Sequence, residues 1–161
     1  MSESVKLKTS VTEMLDGFGV DYVIKPHKNE VFTCEDAARE RGVPVSQILK
    51  CMVGTDGAGA IYVMLIPGDK TLKIKKVRQL AGSVKVILLP PGELSDKFGL
   101  TVGAIAPFQF LGKANFYLDE TVLKNENIDI SSGRPDAGLG LKTKDLIKLL
   151  KPTICDIVST S

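Results

Sequence analysis

The segment GTDGAG, residues 54–59, constrains the fold more than any other part of the chain. It separates two apolar runs rich in β-branched residues, Ile48 to Val53 and Ala60 to Ile66, and reads as a hairpin loop. Strands joined that way run antiparallel, which favours a mixed α+β sheet over a doubly wound parallel one. A third apolar run, Val84 to Leu89, follows a helical pattern (Ile74, Val77, Leu80, Ala81) that Gly82 ends.

The remaining elements follow from the same punctuation. Val11, Met14, Leu15 and Phe18 recur at helical spacing before Gly17 and Gly19 stop the first helix. Residues 21–27 (DYVIKPH) form a short strand candidate whose end Pro26 demotes to a sheet edge. Thr33 can cap the next helix, with Asp36 completing a capping box and Phe32 and Ala37 forming a hydrophobic staple. Gly42 ends that helix, and Pro44 lies just beyond it. A further helix spans Glu93 to Lys97 up to Gly99, and extended stretches are expected over Val102 to Phe110 and Ala114 to Leu118. Ile128 to Gly140 reads as a glycine-rich loop, and Thr143 as the cap of a last helix carrying Leu146, Ile147, Leu149 and Leu150. Neither a repeat nor a Pro/Gly/Ser linker divides the chain, so a single domain over 1–161 is expected.

The residue inventory excludes several chemistries. At 161 residues and 43% hydrophobic content, the chain can bury a core without disulfides or metals. The scattered Cys34, Cys51 and Cys155 read as reduced thiols, implying a cytoplasmic protein. C-x-x-C, H-E-x-x-H and His/Cys clusters are missing, so no metal site is expected. The one histidine, His27, leaves little for a Ser-His-Asp triad, and phosphate-loop and dinucleotide fingerprints are lacking, so no cofactor is expected. The longest apolar run is far short of a membrane span. A net charge of +2 gives no bulk attraction to polyanions, although Lys70, Lys73, Lys75, Lys76 and Arg78, and Lys142, Lys144, Lys148 and Lys151, are locally basic.

Three features carry candidate chemistry. Lys50 shares a strand face with Ile48 and Met52, whereas Leu49 and Cys51 point the other way. A lysine there either lines a wet pocket or snorkels to water from an edge. Gly103 and Pro107, four apart in TVGAIAPFQF, read by themselves as a bulge and an edge proline, or else suit close backbone approach by a ligand. Ser131, Ser132 and Gly133, followed by Arg134, form a small-residue segment that can bind phosphate or ribose, or serve as surface alone.

Taken in order, these pieces resemble the YbaK/EbsC family of aminoacyl-tRNA editing domains, which includes the insertion domain of bacterial prolyl-tRNA synthetases. The matching residues are His27, Thr33 to Ala38, Lys50 of ILKCMVG, the strand IYVMLIPGD, Gly103 to Pro107, Asp119, Ser131 to Gly133, and Asp156-Ile157. The chain departs from the pattern at Cys51, where relatives more often carry threonine or asparagine, and at Arg134 to Ala137, which lengthen the loop.

The resemblance implies an α+β fold: a mixed, mostly antiparallel central sheet curled into a partial barrel, flanked by helices, with residues 1–19 forming a helix packed on it. It implies hydrolysis of the ester of mischarged tRNA, Cys- or Ala-tRNA(Pro), by a cytoplasmic monomer that can act with prolyl-tRNA synthetase. Lys50 and the backbone N–H groups of Gly103 and Ala104 would hold the carbonyl and oxyanion. The nucleophile would be a bound water, or the substrate's own thiol if the amino acid is cysteine. His27, Thr33, Pro107, Ser131, Ser132 and Gly133 would contact the rest of the substrate. The alternatives are a non-catalytic module binding an aminoacyl, nucleotide or tRNA ligand beside a synthetase, and an esterase acting on another acylated metabolite.

Overall fold

The computed structural model describes residues 7–100 and 104–159. Strands β1 (Val23–Pro26), β2 (Leu49–Thr55), β3 (Ile61–Pro67), β4 (Ile87–Leu88), β5 (Asn115–Asp119), β6 (Asn127–Arg134), β7 (Ala137–Lys142) and β8 (Thr153–Cys155) alternate with helices. The helices are α1 (Ser10–Phe18), α2 (Cys34–Arg41), α3 (Ile74–Ala81), α4 (Pro91–Phe98) and α5 (Thr143–Leu150). The fold is α+β, with the strands divided between two sheets. One has the order β1-β7-β6 and is antiparallel throughout. The other has the order β4-β2-β3-β5-β8, antiparallel at β4-β2-β3 and parallel at β3-β5-β8. A bridge between Ile48 and Asp129 links the sheets, and neither closes on itself among the described residues.

Alternation along each strand explains the layering. Val53, Val63, Leu65 and Leu118 of the larger sheet meet Ile128, Ile130, Leu139 and Leu141 of the smaller one in the main core, which α1 joins through Val11 and Leu15. Tyr62, Met64 and Ile66 point the other way, into a second core under Val77 of α3 and Ile157. The outer face of the small sheet carries Lys25, Asp129, Ser131, Gly138 and Gly140, and α2 lies near it.

Most predicted helix ends hold. Gly19, Gly42, Gly82 and Gly99 each close a helix in the left-handed region that favours glycine. The GTDGAG hairpin joins β2 and β3 as expected. Several expectations are corrected. Ile128 to Gly140 is a hairpin of β6 and β7, because Ile128, Ile130 and Leu139 alternate into the core across a turn at Pro135-Asp136. Pro107–Phe110 form a 3-10 turn, not an extended stretch: Pro107 starts it, and the Gln109 side chain accepts from the Ala106 N–H at 2.8 Å. Val102 and Gly103 lie outside the described residues. Of the α2 start signals, the Thr33 hydroxyl does accept from the Asp36 N–H at 3.0 Å. Phe32 does not staple, being 60% exposed. Thr143 is not the α5 cap; its hydroxyl donates to the Asn125 carbonyl at 2.5 Å. Among the described residues no helix is long and apolar enough to cross a membrane.

Candidate active site

A cavity of about 650 Å³ opens between α2, the start of β2, the segment from Leu88 to Leu94, and β6. That volume lies in the range of small-molecule sites, roughly 300–1,000 Å³. Its walls are mainly apolar, and its polar groups are few: Thr33, Cys34, Glu35, Arg41, Lys50, Asp129 and Ser131.

Lys50 reaches this cavity because β2 starts where the two sheets meet. Its neighbours Leu49 and Cys51 pack toward the main core, and Met52 toward the second, as alternation requires. Its ammonium donates to the Lys70 carbonyl at 2.9 Å. The loop carrying that carbonyl approaches closely because residue 68 is glycine: a Cβ there would lie 2.7 Å from the Val45 oxygen and 3.0 Å from Cys34 Cβ.

The predicted residues separate into groups. Lys50, Thr33 and Ser131 line the cavity together. Ala104 and Pro107 are buried beside Ile105, which does line it, and Gly103 is outside the described residues. Ser132 is fully buried in the β6–β7 hairpin, donating to the Ala137 carbonyl at 2.6 Å and accepting from the Arg134 N–H at 3.2 Å. Gly133 takes a φ of 95° there, and its N–H donates to the Ser131 hydroxyl at 3.2 Å. His27 is not a lining residue. Its Nδ1 faces the Pro135 carbonyl at 3.0 Å and its Nε2 accepts from Arg41 Nε at 3.1 Å, so it holds Arg41 as a neutral ring with N–H at Nδ1.

The thiols are not activated. Burial pushes the Cys51 thiol up to about 12, which suits a small packing residue. Burial also raises Cys34, against the opposing pull of Lys50 and Arg41. At neutral pH both are thiols, and thiolates are the nucleophilic form. The remaining acids are structural ties. Asp119, fully buried, accepts from the Ile157 N–H at 2.9 Å and from the Thr121 N–H and hydroxyl. Asp156 pairs with Lys76 at 2.9 Å, which lowers its carboxyl below the usual range. Two cations of the first basic stretch are therefore anchors, Lys76 here and Arg78 on the Val86 carbonyl at 2.8 Å.

Arg41, Gln47 and Asp129 also belong to this region and carried no sequence motif. Asp129 is fully buried; Gln47 Nε2 donates to its Oδ2 at 2.8 Å, and Lys25 Nζ lies 2.9 Å from its Oδ1. An acid in a segment that reads as a glycine-rich loop is expected in solvent, so only the approach of Lys25 and Gln47 reveals its burial. The available signal was Gly138 and Gly140, two glycines two apart, which leave that face of β7 bare for other side chains.

A family model described as "Aminoacyl-tRNA editing domain" matches residues 28–149, which take in α2, β2, β6 and the whole cavity lining. The chain belongs to the aminoacyl-tRNA editing domain family. This editing domain is 23% identical over 156 residues, 94% of each chain, to EbsC of Enterococcus faecalis, provisionally named a Cys-tRNA(Pro)/Cys-tRNA(Cys) deacylase. It is 28% identical over 89 residues to the proline–tRNA ligase of Fervidobacterium nodosum; the match covers 55% of the editing domain and 15% of the ligase. The crystal structure of a hypothetical protein superposes with a TM-score of 0.86 at 26% identity, over 94% of this chain and 100% of that one. The YbaK/EbsC resemblance read from the sequence is borne out.

Proposed function

We propose that this editing domain is an aminoacyl-tRNA deacylase acting in trans, on Cys- or Ala-tRNA(Pro). The observation that carries the reading is Lys50, an ammonium at the edge of a mainly apolar cavity in a family of editing domains. EbsC, whose name gives Cys-tRNA(Pro) beside Cys-tRNA(Cys), supports cysteine as the acyl group and tRNA(Pro) as one acceptor. The matches to proline–tRNA ligases support a synthetase that charges that tRNA with the wrong amino acid as the source of the substrate.

An aminoacyl ester is already activated, so the site needs position and charge more than a strong nucleophile. Water adds to the acyl carbon, and the carbonyl electrons move onto oxygen. Lys50 and the N–H groups of Gly103 and Ala104 hold that oxyanion. Collapse breaks the ester C–O bond, the terminal ribose oxygen takes the proton given up by the attacking water, and the free amino acid leaves. Thr33 and Ser131 supply hydroxyls to the bound acyl-adenosine, while His27 acts at one remove, through Arg41. Pro107, Ser132 and Gly133 shape the loop and hairpin that border the cavity.

The test is a panel of tRNA(Pro) charged with cysteine, alanine or serine, followed for ester loss. Replacing Lys50 by alanine removes one oxyanion donor and should slow release by about 10²–10³. Release unchanged by Lys50→Ala overturns the mechanism, and no release from any member leaves a binding module. Equal release from free aminoacyl-adenosine identifies a general esterase.

A further inference from the structure

On its outer face the small sheet holds a trough. Gly138 and Gly140 face the same side of β7, with Lys25 of β1 paired to Gly138, and Asp129 and Ser131 of β6 paired to Gly140 and Gly138. The bare backbone is covered by charged groups. A Cβ at 138 would lie 2.1 Å from Arg41 Cζ and Nε, and one at 140 would lie 3.0 Å from Lys25 Cε. Only glycine at 138 lets the guanidinium sit where it does.

The charges in the trough do not balance. Lys25 pairs with Asp129 and Gln47 donates to its Oδ2, while Asp129 Oδ1 keeps no hydrogen-bond partner among the described residues and attracts Arg41 from beyond ion-pair distance. Arg41 has no ion pair among the described residues. Its Nε is spent on His27, and its Nη1 is buried with no hydrogen-bond partner among the described residues. Two cations therefore share one carboxylate, and a guanidinium that lines the cavity retains its terminal nitrogens for a ligand. A buried unpaired donor is costly, and a charged one more so.

We propose that Arg41 is a carboxylate-binding group at the inner end of the cavity. With Nε committed, the Nη1–Nη2 edge is the planar fork that pairs two-to-two with a carboxylate. His27 and the space over Gly138 hold that fork, and Lys50 in the same cavity adds a second positive charge. Phe32, Thr33 and Glu35 are exposed at the rim, whereas Nη1 is shut from solvent; a small free acid reaches it more readily than a phosphate inside a polynucleotide strand. The carboxylate comes either from the α-carboxylate of a released amino acid or from an acidic acyl side chain. The first source rests on the proposed deacylation, whereas the second, and carboxylate binding itself, do not.

Isothermal titration of the full chain tests it with L-alanine, which offers an α-carboxylate, and aspartic acid α-amide, which offers only a side-chain carboxylate. L-alaninamide, which has none, and inorganic phosphate serve as controls. Binding of L-alanine identifies product retention, and binding of the α-amide identifies an acidic side chain. Arg41→Gln should weaken whichever binds by about ten- to a hundredfold, the usual cost of a charge-assisted hydrogen bond. Gly138→Ala should weaken it comparably while keeping every charged group. Should either variant misfold, the Nε–H resonance of Arg41 in the wild-type protein should shift on adding the acid and stay fixed on adding L-alaninamide. Absence of carboxylate binding, equal binding of L-alaninamide, tighter binding of phosphate, or affinity unchanged in both folded variants overturns the proposal. Because binding is read apart from turnover, a failed deacylation assay leaves this result standing, and the reverse holds too.

Discussion

Strand β3 is buried and the trough over β7 is half-buried around a fully buried Asp129, and the two are built on opposite principles. Along β3, Val63 and Leu65 fill the main core while Tyr62, Met64 and Ile66 fill the second, so both faces are apolar. Across the trough, Lys25, Arg41, Gln47, Asp129 and His27 are joined by directed contacts over two glycines. Hydrophobic burial is non-directional and accepts any side chain of suitable volume. A buried polar set accepts only the partners that satisfy it. Robustness therefore resides in the large sheet and specificity in the small one.

The largest effect is expected where the directed set loses its anion. Asp129→Ala leaves Lys25 and Arg41 without a carboxylate and should cost about 3 kcal/mol, the lower end for breaking a buried pair, because Lys25 is a quarter exposed. Urea denaturation measures this, and a cost below that of an ordinary surface substitution would erase the distinction between the two regions. On β3 the matching experiment is Leu65→Met, which conserves volume and should cost less than about 1.5 kcal/mol. A larger loss would show that the large sheet is as exacting as the trough.

The smallest effect is on the border of the two, at Cys51. Its thiol ionises near 9 when unperturbed and at about 12 in the folded chain, so folding favours the protonated form. That contribution is complete below pH 9 and is lost as pH rises toward 12. Stability measured across this window should fall less steeply in Cys51→Ala. Identical slopes would mean that Cys51 sits in a wetter setting than its packing implies.

Much of the framework was legible in the chain. Glycines at 19, 42, 82 and 99 mark helix ends because only they enter the left-handed region without a Cβ penalty. The short 54–59 turn required a hairpin, and Lys50 stood out against its apolar run. The β6–β7 hairpin is hidden in the sequence because its glycines and serines imitate a loop. Their β character comes from Ile128, Ile130, Leu139 and Leu141 meeting the other sheet. The sequence marks His27 as a candidate but not as the support of Arg41, since the two are 14 residues apart and meet only through packing.

By itself, then, the sequence determined the order of elements, the antiparallel β2–β3 pair, the shortage of groups for metal or triad chemistry, and the prominence of Lys50. Those are local or counting properties, set by backbone sterics and residue chemistry. Tertiary structure alone decided which polar residues are buried. Asp129 follows the same alternation as an exposed strand residue, and Arg41 sits at a helix C-terminus where a solvated cation is ordinary. Only packing buries Asp129 under Lys25 and Gln47, half-buries Arg41 over Gly138, and turns a pattern of surface charges into the polar end of a cavity.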